Sequence, residues 1–378
     1  RQQLKDAVIV AYGRTACCKA GKGAFAQVHP VEYGAQALLG VLERVPGLRP
    51  EEIGDVIMGC AMPYGVQGAN MARLIVQRAG LPDSVTAQTV NRYCSSGLQT
   101  IATAANAIRC GEEAIMVAGG VESMSMVPML IGVEDADPWL REHRPEVYTI
   151  MGITAENVAK RWNISRADMD AMAAESHRRA AQAQVQGCFD GQIIPVQIPG
   201  ADGQAVTVIR DEGIRPGTTA EKLAELKPCF LEDGLVTAAT SSQRTDGAGF
   251  VVLMSAERAQ AMGLKPLARF VTFATGGVPA EVMGVGPIEA VPKALKKAGL
   301  TLEEMDTIEL NEAFASQALA CIRTLGMDPA RVNPWGGAMA LGHPLGATGA
   351  ILTCKALSYL EHTGGRYGMV TMCIGGGM

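Results

Sequence analysis

The strongest constraint on the fold is an internal repeat, because two distant stretches pass through the same order of elements. Residues 47–59 read GLRPEEIGDVIMG, and residues 299–311 read GLTLEEMDTIELN. Each follows an alanine- and leucine-rich segment and runs through two glutamates into a short apolar stretch. This pattern predicts a helix, a turn and a strand in both places.

A second pair of stretches extends the repeat. Residues 85–120 and 330–377 both read as strand, loop, helix and strand, and both finish in consecutive glycines. Two halves built alike indicate a duplicated α/β unit. We therefore predict an α/β fold made of two similar halves.

A different region separates the halves. Residues 126–234 begin with a polar, proline-bearing stretch and continue with a long helical pattern at 152–187, where Ser165 is a candidate N-cap. Short apolar runs between Asp-Gly and Pro-Gly turn signals follow. An insertion of this size predicts a lid over a ligand site. The predicted division is an N-terminal half at 1–125 that resumes at 235–265, an inserted loop domain at 126–234, and a C-terminal half at 266–378.

Composition excludes several classes of protein. The net charge of −5 argues against a nucleic-acid partner, and no apolar run is long enough to span a membrane. The ten cysteines are scattered without a CxxC pair, so neither a metal site nor a disulfide framework is predicted. Scattered thiols suggest a reducing compartment, and the chain opens on a strand rather than a signal peptide. We expect a cytoplasmic enzyme.

Cys94 is the first candidate for chemistry. It lies in VNRYCSSGLQ, between a strand pattern and a helix pattern. A thiol at a helix N-terminus feels the positive end of the peptide dipoles, which favours the thiolate. The small residues after it leave room for a substrate carbonyl. Taken alone, Cys94 is equally compatible with a small packed residue at a turn.

His343 lies at the matching place in the second half. The stretch NPWGGAMALGHPLGATGA, residues 333–350, places five glycines and a His-Pro pair between a strand and a helix. If the halves pack about a pseudo-twofold axis, this loop meets the Cys94 loop and brings a histidine to a cysteine. The alternative is a surface or core histidine without a catalytic role.

Two further candidates follow predicted strands. Cys373 precedes three glycines in VTMCIGGGM, whose N–H groups are suited to an oxyanion, although a cysteine at a strand end is often plain packing. Asn311 lies in ELNEAFASQALA, where it either caps a helix or holds a water or carbonyl in the same cleft.

These four blocks, VNRYCSSGLQ, NEAFASQ, GGAMALGHPLGATGA and CIGGG, resemble the thiolase family in order and spacing. The resemblance extends over essentially the whole chain. It implies two stacked α/β halves, layered α-β-α-β-α, with the insertion as a loop domain over the site for coenzyme A (CoA). It also implies a homodimer or homotetramer.

The resemblance assigns catalytic roles. Cys94, activated by His343, would attack a 3-ketoacyl-CoA, release acetyl-CoA and carry the acyl group as a thioester. Cys373 would be the second acid/base. One oxyanion hole would use His343 and a water held by Asn311, and the other the N–H groups of Cys94 and Gly375. CoA is a co-substrate, and no permanently bound cofactor or metal is expected.

Seven further residues would form the CoA and acyl site. Arg215 would lie near the nucleotide and Ser242 near the pantetheine. The others would line the channel or its acyl end: Phe230, Ala238, Phe314, Met151 and Met283.

The reaction and its partners leave alternatives open. TSSQ, VNRYC and DEGIRPGTT look most like degradative 3-ketoacyl-CoA thiolases of β-oxidation, and Ile150 stands where the acetoacetyl-CoA-specific branch more often has histidine. An acetoacetyl-CoA thiolase condensing two acetyl-CoA is the alternative. A complex with an enoyl-CoA hydratase/3-hydroxyacyl-CoA dehydrogenase subunit is a further possible partnership.

Two other classes fit less well. A decarboxylating ketoacyl synthase uses a second catalytic histidine, and none of the five histidines is a good candidate for it. A non-catalytic CoA-ester binding subunit has no need of an intact nucleophile and base.

Two features depart from the family pattern: the sequence ends at Met378, where a final strand is expected, and Trp335 is expected to reshape a nearby pocket.

Overall fold

The computed structural model describes residues 3–129 and 132–378, so Arg1, Gln2, Leu130 and Ile131, which fall in the predicted N-terminal half and insertion, lie outside the described residues. The described strands are β1 (Ala7–Arg14), β2 (Cys18–Lys19), β3 (Asp55–Gly59), β4 (Thr86–Val90), β5 (Ile115–Glu122), β6 (Val196–Pro199), β7 (Ala205–Val208), β8 (Thr245–Ser255), β9 (Ala268–Arg269), β10 (Thr307–Leu310) and β11 (Gly368–Thr371).

Helices connect these strands. They are α1 (Pro30–Leu42), α2 (Met71–Arg78), α3 (Ser96–Arg109), α4 (Pro138–His143), α5 (Met151–Arg161), α6 (Arg166–Val185), α7 (Ala220–Leu223), α8 (Ala256–Ala261), α9 (Gly286–Ala298), α10 (Ala315–Leu325), α11 (Ala338–Leu341) and α12 (Leu345–Thr363). Among the described helices, none has both the length and the apolar character needed to cross a membrane.

The first sheet has the order β4-β3-β5-β8-β1-β9, with β2 paired to β8. Strands β3, β4 and β5 run parallel, whereas β8 runs antiparallel to both β5 and β1. Every residue of β1, β5 and β8 is buried, as expected for strands covered on both faces.

The layers alternate in the predicted order α-β-α-β-α. Helices α1 and α2 cover one face of the first sheet, and α3 and α12 cover the other. Helix α12 also packs on β10 and β11, whose opposite face contacts α9 and α10. The central layer is thus shared by the two halves. The predicted fold class is confirmed.

Helix α12 is buried on all sides over residues 345–357, because it lies between two sheets. It approaches α3 very closely. A Cβ added to Gly349 would lie 2.1 Å from the backbone nitrogen of Leu98, and one added to Gly97 would lie 2.7 Å from the carbonyl oxygen of Gly346. The glycines of the two loop blocks therefore let the two halves meet backbone to backbone.

The second sheet is the smaller one. Strands β10 and β11 pair in parallel, and Val332 joins them through an isolated bridge to Ile308. Residues 270–279, which follow β9, form no strand, although the N–H groups of Phe270 and Val278 donate to the carbonyls of Ala7 and Gly377. An apolar groove of about 670 Å³ runs between this segment and β11. The two halves are thus alike in layering and unequal in strand content.

The insertion contains α4 to α7 and the β6–β7 hairpin. The helical pattern at 152–187 forms two helices, and Ser165 caps the second by accepting a hydrogen bond from the N–H of Asp168. A fully buried ion pair fixes the insertion to the first sheet, since the Arg14 guanidinium lies 2.8 Å from the Asp211 carboxylate. Asp211 also accepts the N–H of Cys17.

Candidate active site

Parallel pairing brings the carboxyl ends of three strands to one edge of the first sheet. Gly59 of β3 is opposite both Val90 of β4 and Gly120 of β5. The residues that follow these strands must therefore lie side by side. The block containing Cys94 follows β4, so this edge holds the predicted nucleophile.

A tight turn presents Cys94. Tyr93 has φ +44°, in the left-handed region that is rare for a non-glycine residue, and its N–H donates to the Asn91 side chain. Ser96 stabilises the turn by accepting the N–H of Arg92 and donating to the Tyr93 carbonyl. Cys94 is partly exposed although protein surrounds it closely, as expected at the bottom of a narrow cleft.

Cys94 rests as a thiol. Burial raises its pKa to about 11, and the Glu122 carboxylate adds to the increase. The N–H groups of Gly375 and of Cys94 itself act in the opposite direction. Helix-start N–H groups thus favour the thiolate as the sequence suggested, but desolvation outweighs them. Cys94 therefore needs a base.

His343, the predicted base, has one ring nitrogen held and the other unpaired among the described residues. It is 4% exposed, and its Nδ1 is hydrogen-bonded to the Thr348 hydroxyl in the first turn of α12. Its Nε2 is buried without a hydrogen-bond partner among the described residues. Burial lowers its pKa to about 4, so the ring is neutral at neutral pH. With Nδ1–H donated to Thr348, Nε2 can take a proton.

Asn311 presents an unpaired amide. Its backbone is fixed, because its N–H donates to the Thr371 carbonyl and its carbonyl accepts from Gln317. Both polar atoms of its side chain are buried without a partner in the described part of the chain. Asn311 is not the cap of α10, whose N-cap residue is Phe314. A buried free amide is costly unless it serves a ligand or a water.

Cys373 is fully buried just after β11. Leu310 and Thr371 are partners in the β10–β11 register, so Asn311 and Cys373 leave the second sheet at the same edge. Burial raises the pKa of Cys373 well above its usual range, and the nearby Cys94 adds to this. Cys373 therefore holds a proton.

The loop that carries His343, residues 333–344, is held by buried charges. The Lys355 ammonium donates to the Gly336 carbonyl at 2.6 Å and lies 3.2 Å from the Glu309 carboxylate. Glu312 accepts the N–H of Met339. Both charged side chains of the Lys355–Glu309 pair are at most 2% exposed. Trp335 packs on Phe189, Tyr359 and His362, so its ring fills the core beside this loop.

Lys355→Met is expected to lower the free energy of unfolding by about 3–5 kcal/mol, because it leaves the Glu309 carboxylate buried without its counter-charge. Urea unfolding at matched protein concentration measures this. The control is Lys355→Met combined with Glu309→Gln, which removes both charges and should be less destabilised than the single variant. A single-variant loss below about 1 kcal/mol would contradict a structural role for the pair.

The predicted acyl-end residues come together around Cys373. Met283, Phe314 and Cys373 belong to one buried cluster, and Met151 and Phe230 pack against it. The Phe230 and Phe314 rings meet edge to face at 6.2 Å. An apolar cluster thus surrounds the second thiol.

The predicted CoA residues are more dispersed. Ser242 lies beside Ala313, to whose carbonyl its N–H donates, and Ala238 is exposed nearby along the chain. Arg215 is exposed, and its N–H donates to the buried His177 ring. His177 therefore fixes the backbone of Arg215 while the guanidinium stays at the surface.

Sequence reasoning missed three supporting residues. Thr348 orients the His343 ring, Gln243 accepts the His343 N–H through its carbonyl, and Glu122 contacts elements of both halves. The spacing of Thr348, five residues after the histidine at a helix start, was the one available signal. The roles of Gln243 and Glu122 depend on contacts between residues more than fifty positions apart.

Comparison with known proteins gives one consistent family. Residues 7–257 match the family described as thiolase, N-terminal domain, and residues 264–378 match the thiolase, C-terminal domain. A solved structure, the acetyl-CoA acetyltransferase of Bacillus anthracis, superposes with a TM-score of 0.93 at 39% identity and covers 100% of this chain and 98% of that one.

Curated relatives carry a more specific name. The 3-ketoacyl-CoA thiolase of Bacillus subtilis (strain 168) is 51% identical over 99% of this chain and 98% of its own length. The peroxisomal 3-ketoacyl-CoA thiolase of Homo sapiens is 46% identical over 99% of this chain and 89% of its own. These proteins align with the chain across both halves and the insertion.

Proposed function

The chain belongs to the thiolase family and is an acyltransferase, and we propose that it cleaves 3-ketoacyl-CoA with CoA to give acetyl-CoA and a shortened acyl-CoA. The observation that carries this proposal is a set of buried polar atoms without partners among the described residues, His343 Nε2 and the Asn311 amide, in a chain that also presents the Cys94 and Cys373 thiols just after strands β4 and β11. Such a set is what an acyl transfer with two oxyanions needs.

The first step forms an acyl-enzyme. His343 Nε2 takes the Cys94 proton as the sulfur attacks the 3-keto carbon, and the ketone oxygen becomes an oxyanion. The Nε2–H formed in this way and a water on the Asn311 amide would donate hydrogen bonds to that oxyanion. Since the resting pair is a neutral thiol and a neutral imidazole, no charge is buried until substrate arrives.

The second step breaks the bond between C2 and C3. The electron pair goes to C2, and Cys373 protonates it, so that acetyl-CoA leaves and the acyl group stays on Cys94 as a thioester. The raised pKa of Cys373 supports its role as an acid, because it keeps the proton until a carbanion forms.

The third step transfers the acyl group to CoA. The Cys373 thiolate takes the proton of the CoA thiol, and the CoA sulfur attacks the thioester. The N–H groups of Gly375 and Cys94 would stabilise this oxyanion, as both already favour negative charge on the Cys94 sulfur. The bond to Cys94 then breaks, and His343 returns the proton.

A thiolysis assay with 3-ketoacyl-CoA substrates of four to sixteen carbons tests the reaction. We expect turnover of several chain lengths, because Met151, Met283 and the two phenylalanines surround Cys373 with flexible apolar side chains rather than polar ones. Activity confined to the four-carbon substrate would move the assignment to an acetoacetyl-CoA thiolase. Absence of thiolysis at every length would refute the proposal.

The proposal also covers the CoA contacts, the pathway, the oligomeric state and the compartment. Arg215 and Ser242 would contact CoA, with Ala238, Phe230 and Phe314 along the channel. Membership of β-oxidation, a homodimer or homotetramer, and a hydratase/dehydrogenase partner agree with the family. Strand β4, paired with β3 on one side at the end of the sheet, supports pairing with a second copy. The ten free thiols support a reducing compartment such as the cytoplasm.

A further inference from the structure

Glu122 is a buried carboxylate with no role in the reaction described above. It is the last residue of β5 and is 1% exposed. One oxygen accepts the N–H of Ala61 at 2.8 Å and the N–H of Gly346 at 2.9 Å. The other accepts the Gln67 amide at 2.5 Å and faces the Cys60 thiol at 3.6 Å.

All four partners are donors, so the geometry suits a carboxylate that only accepts hydrogen bonds. Gln67 cannot reverse its amide freely, because its oxygen accepts the N–H of Ser123 and its nitrogen also donates to the Met62 carbonyl. Burial raises the pKa of Glu122, while the N–H groups of Ala61 and Gly346 lower it. Gly346 is near the N-terminus of the 19-residue helix α12, where negative charge is favoured.

The two oxygens join the two halves at the reacting residues. Gly346 belongs to the first turn of α12, as does Thr348, which holds the His343 ring. Ala61 belongs to the first half and lies in the cluster of Ala61, Met124 and Leu345, against which Cys94 packs. A Cβ on Gly346 would lie 2.9 Å from the Glu122 carboxylate, so the turn sits directly on it.

We propose that Glu122 is a positioning residue that fixes the His343 turn against the half that carries Cys94 and holds a buried negative charge where the two halves meet. The proposal rests on the proposed function, since it assigns a role within that reaction. It makes Glu122 the link between base and nucleophile, which lie 249 positions apart in the sequence, from 94 to 343.

The charge has a measurable consequence. The titratable groups facing Glu122 are the Cys60 and Cys94 thiols and the Tyr33 and Tyr64 phenols, and its charge raises the pKa of each. Removing the charge must therefore lower the pKa of Cys94. A loosened cleft would also lower the pKa of Cys94, because burial is what raises it, so Glu122→Asp, which keeps the charge, separates the two causes.

The test is Glu122→Gln, which keeps the size of the side chain but removes its charge. Its NH₂ group would then face hydrogen-bond donors that the carboxylate now accepts from. We expect kcat for thiolysis to fall by about 30-fold or more, with less than about threefold change in the KM for CoA. The midpoint of Cys94 alkylation by iodoacetamide, followed by mass spectrometry of its peptide, should move to lower pH. Loss of activity together with easier thiolate formation is the expected signature.

The matched control is Asp306→Asn, because that carboxylate also accepts two backbone N–H groups, those of Arg366 and Tyr367. It should change neither kcat nor the Cys94 midpoint. Glu122→Asp keeps the charge but shortens the reach, so it should lower kcat by about tenfold and leave the midpoint in place. This variant also tests the positioning role if Glu122→Gln does not fold.

An unchanged alkylation midpoint in a folded Glu122→Gln protein would overturn the charge role. Wild-type kcat in Glu122→Asp would overturn the positioning role. If the unmodified protein thiolyses no 3-ketoacyl-CoA, the proposed function fails separately, and the alkylation midpoints still test the effect of Glu122 on Cys94.

Discussion

Cys94→Ser is expected to fold and to lose turnover by roughly 10⁴-fold or more. A serine hydroxyl is far less acidic than a thiol, and His343 has a pKa lowered to about 4 and is too weak a base to activate it. An oxygen ester would also be a poorer acyl donor to CoA than a thioester. Steady-state thiolysis with a 3-ketoacyl-CoA, at protein concentrations verified by circular dichroism, measures the loss.

Cys188→Ser is the matched control, since Cys188 is also partly exposed but belongs to the cluster around Phe189 and Trp335. It should retain activity within about twofold. If Cys94→Ser cleaved acetoacetyl-CoA at a near-normal rate, Cys94 could not be the acyl carrier, and the proposed mechanism would be refuted.

Cys373→Ala should lower kcat by about 10²–10⁴-fold, the usual contribution of a positioned acid/base. The physical reason is that a thiol with a strongly raised pKa holds the proton that the departing carbanion needs. Acylation of Cys94 should still occur slowly, whereas transfer to CoA should be poor. Mass spectrometry after incubation with an acyl-CoA should then show the acyl group on Cys94.

Cys321→Ala controls for the cavity, because Cys321 is equally buried and lies in the neighbouring cluster of β10 and α10. It should reduce stability without the loss in acyl transfer. An acyl group found on Cys373 of the unmodified protein, rather than on Cys94, would reverse the roles of the two thiols.

Much of the fold could be predicted from sequence because it is periodic. The repeat indicated two α/β halves, and the structure has the predicted layers. The smaller second sheet was not predicted, because the repeat gave no sign that the two halves differ in strand content. The helical pattern at 152–187 is interrupted before Ser165, the N-cap candidate of the sequence, and the hydrogen bond from the Asp168 N–H confirms that cap.

The candidate residues were found because each stands in a local glycine-rich pattern after a strand. Their protonation was not predictable in the same way. A helix start suggested a thiolate at Cys94, but burial gives a resting thiol. The pKa of the thiol depends on every chain segment packed around the sulfur, including Glu122 and the Gly375 loop. A local sequence pattern does not reveal which distant segments these are.

The sequence by itself determined which chemistry the chain carries: two thiols, an imidazole and an amide, in four blocks of fixed order. Only the tertiary structure decided which groups hold protons at rest and how the two halves are held together. The reason is that burial and the hydrogen bonds of Glu122, Thr348 and Lys355 join residues that are adjacent in space. Residue types are local, whereas the electrostatic environment of each is set by the whole fold.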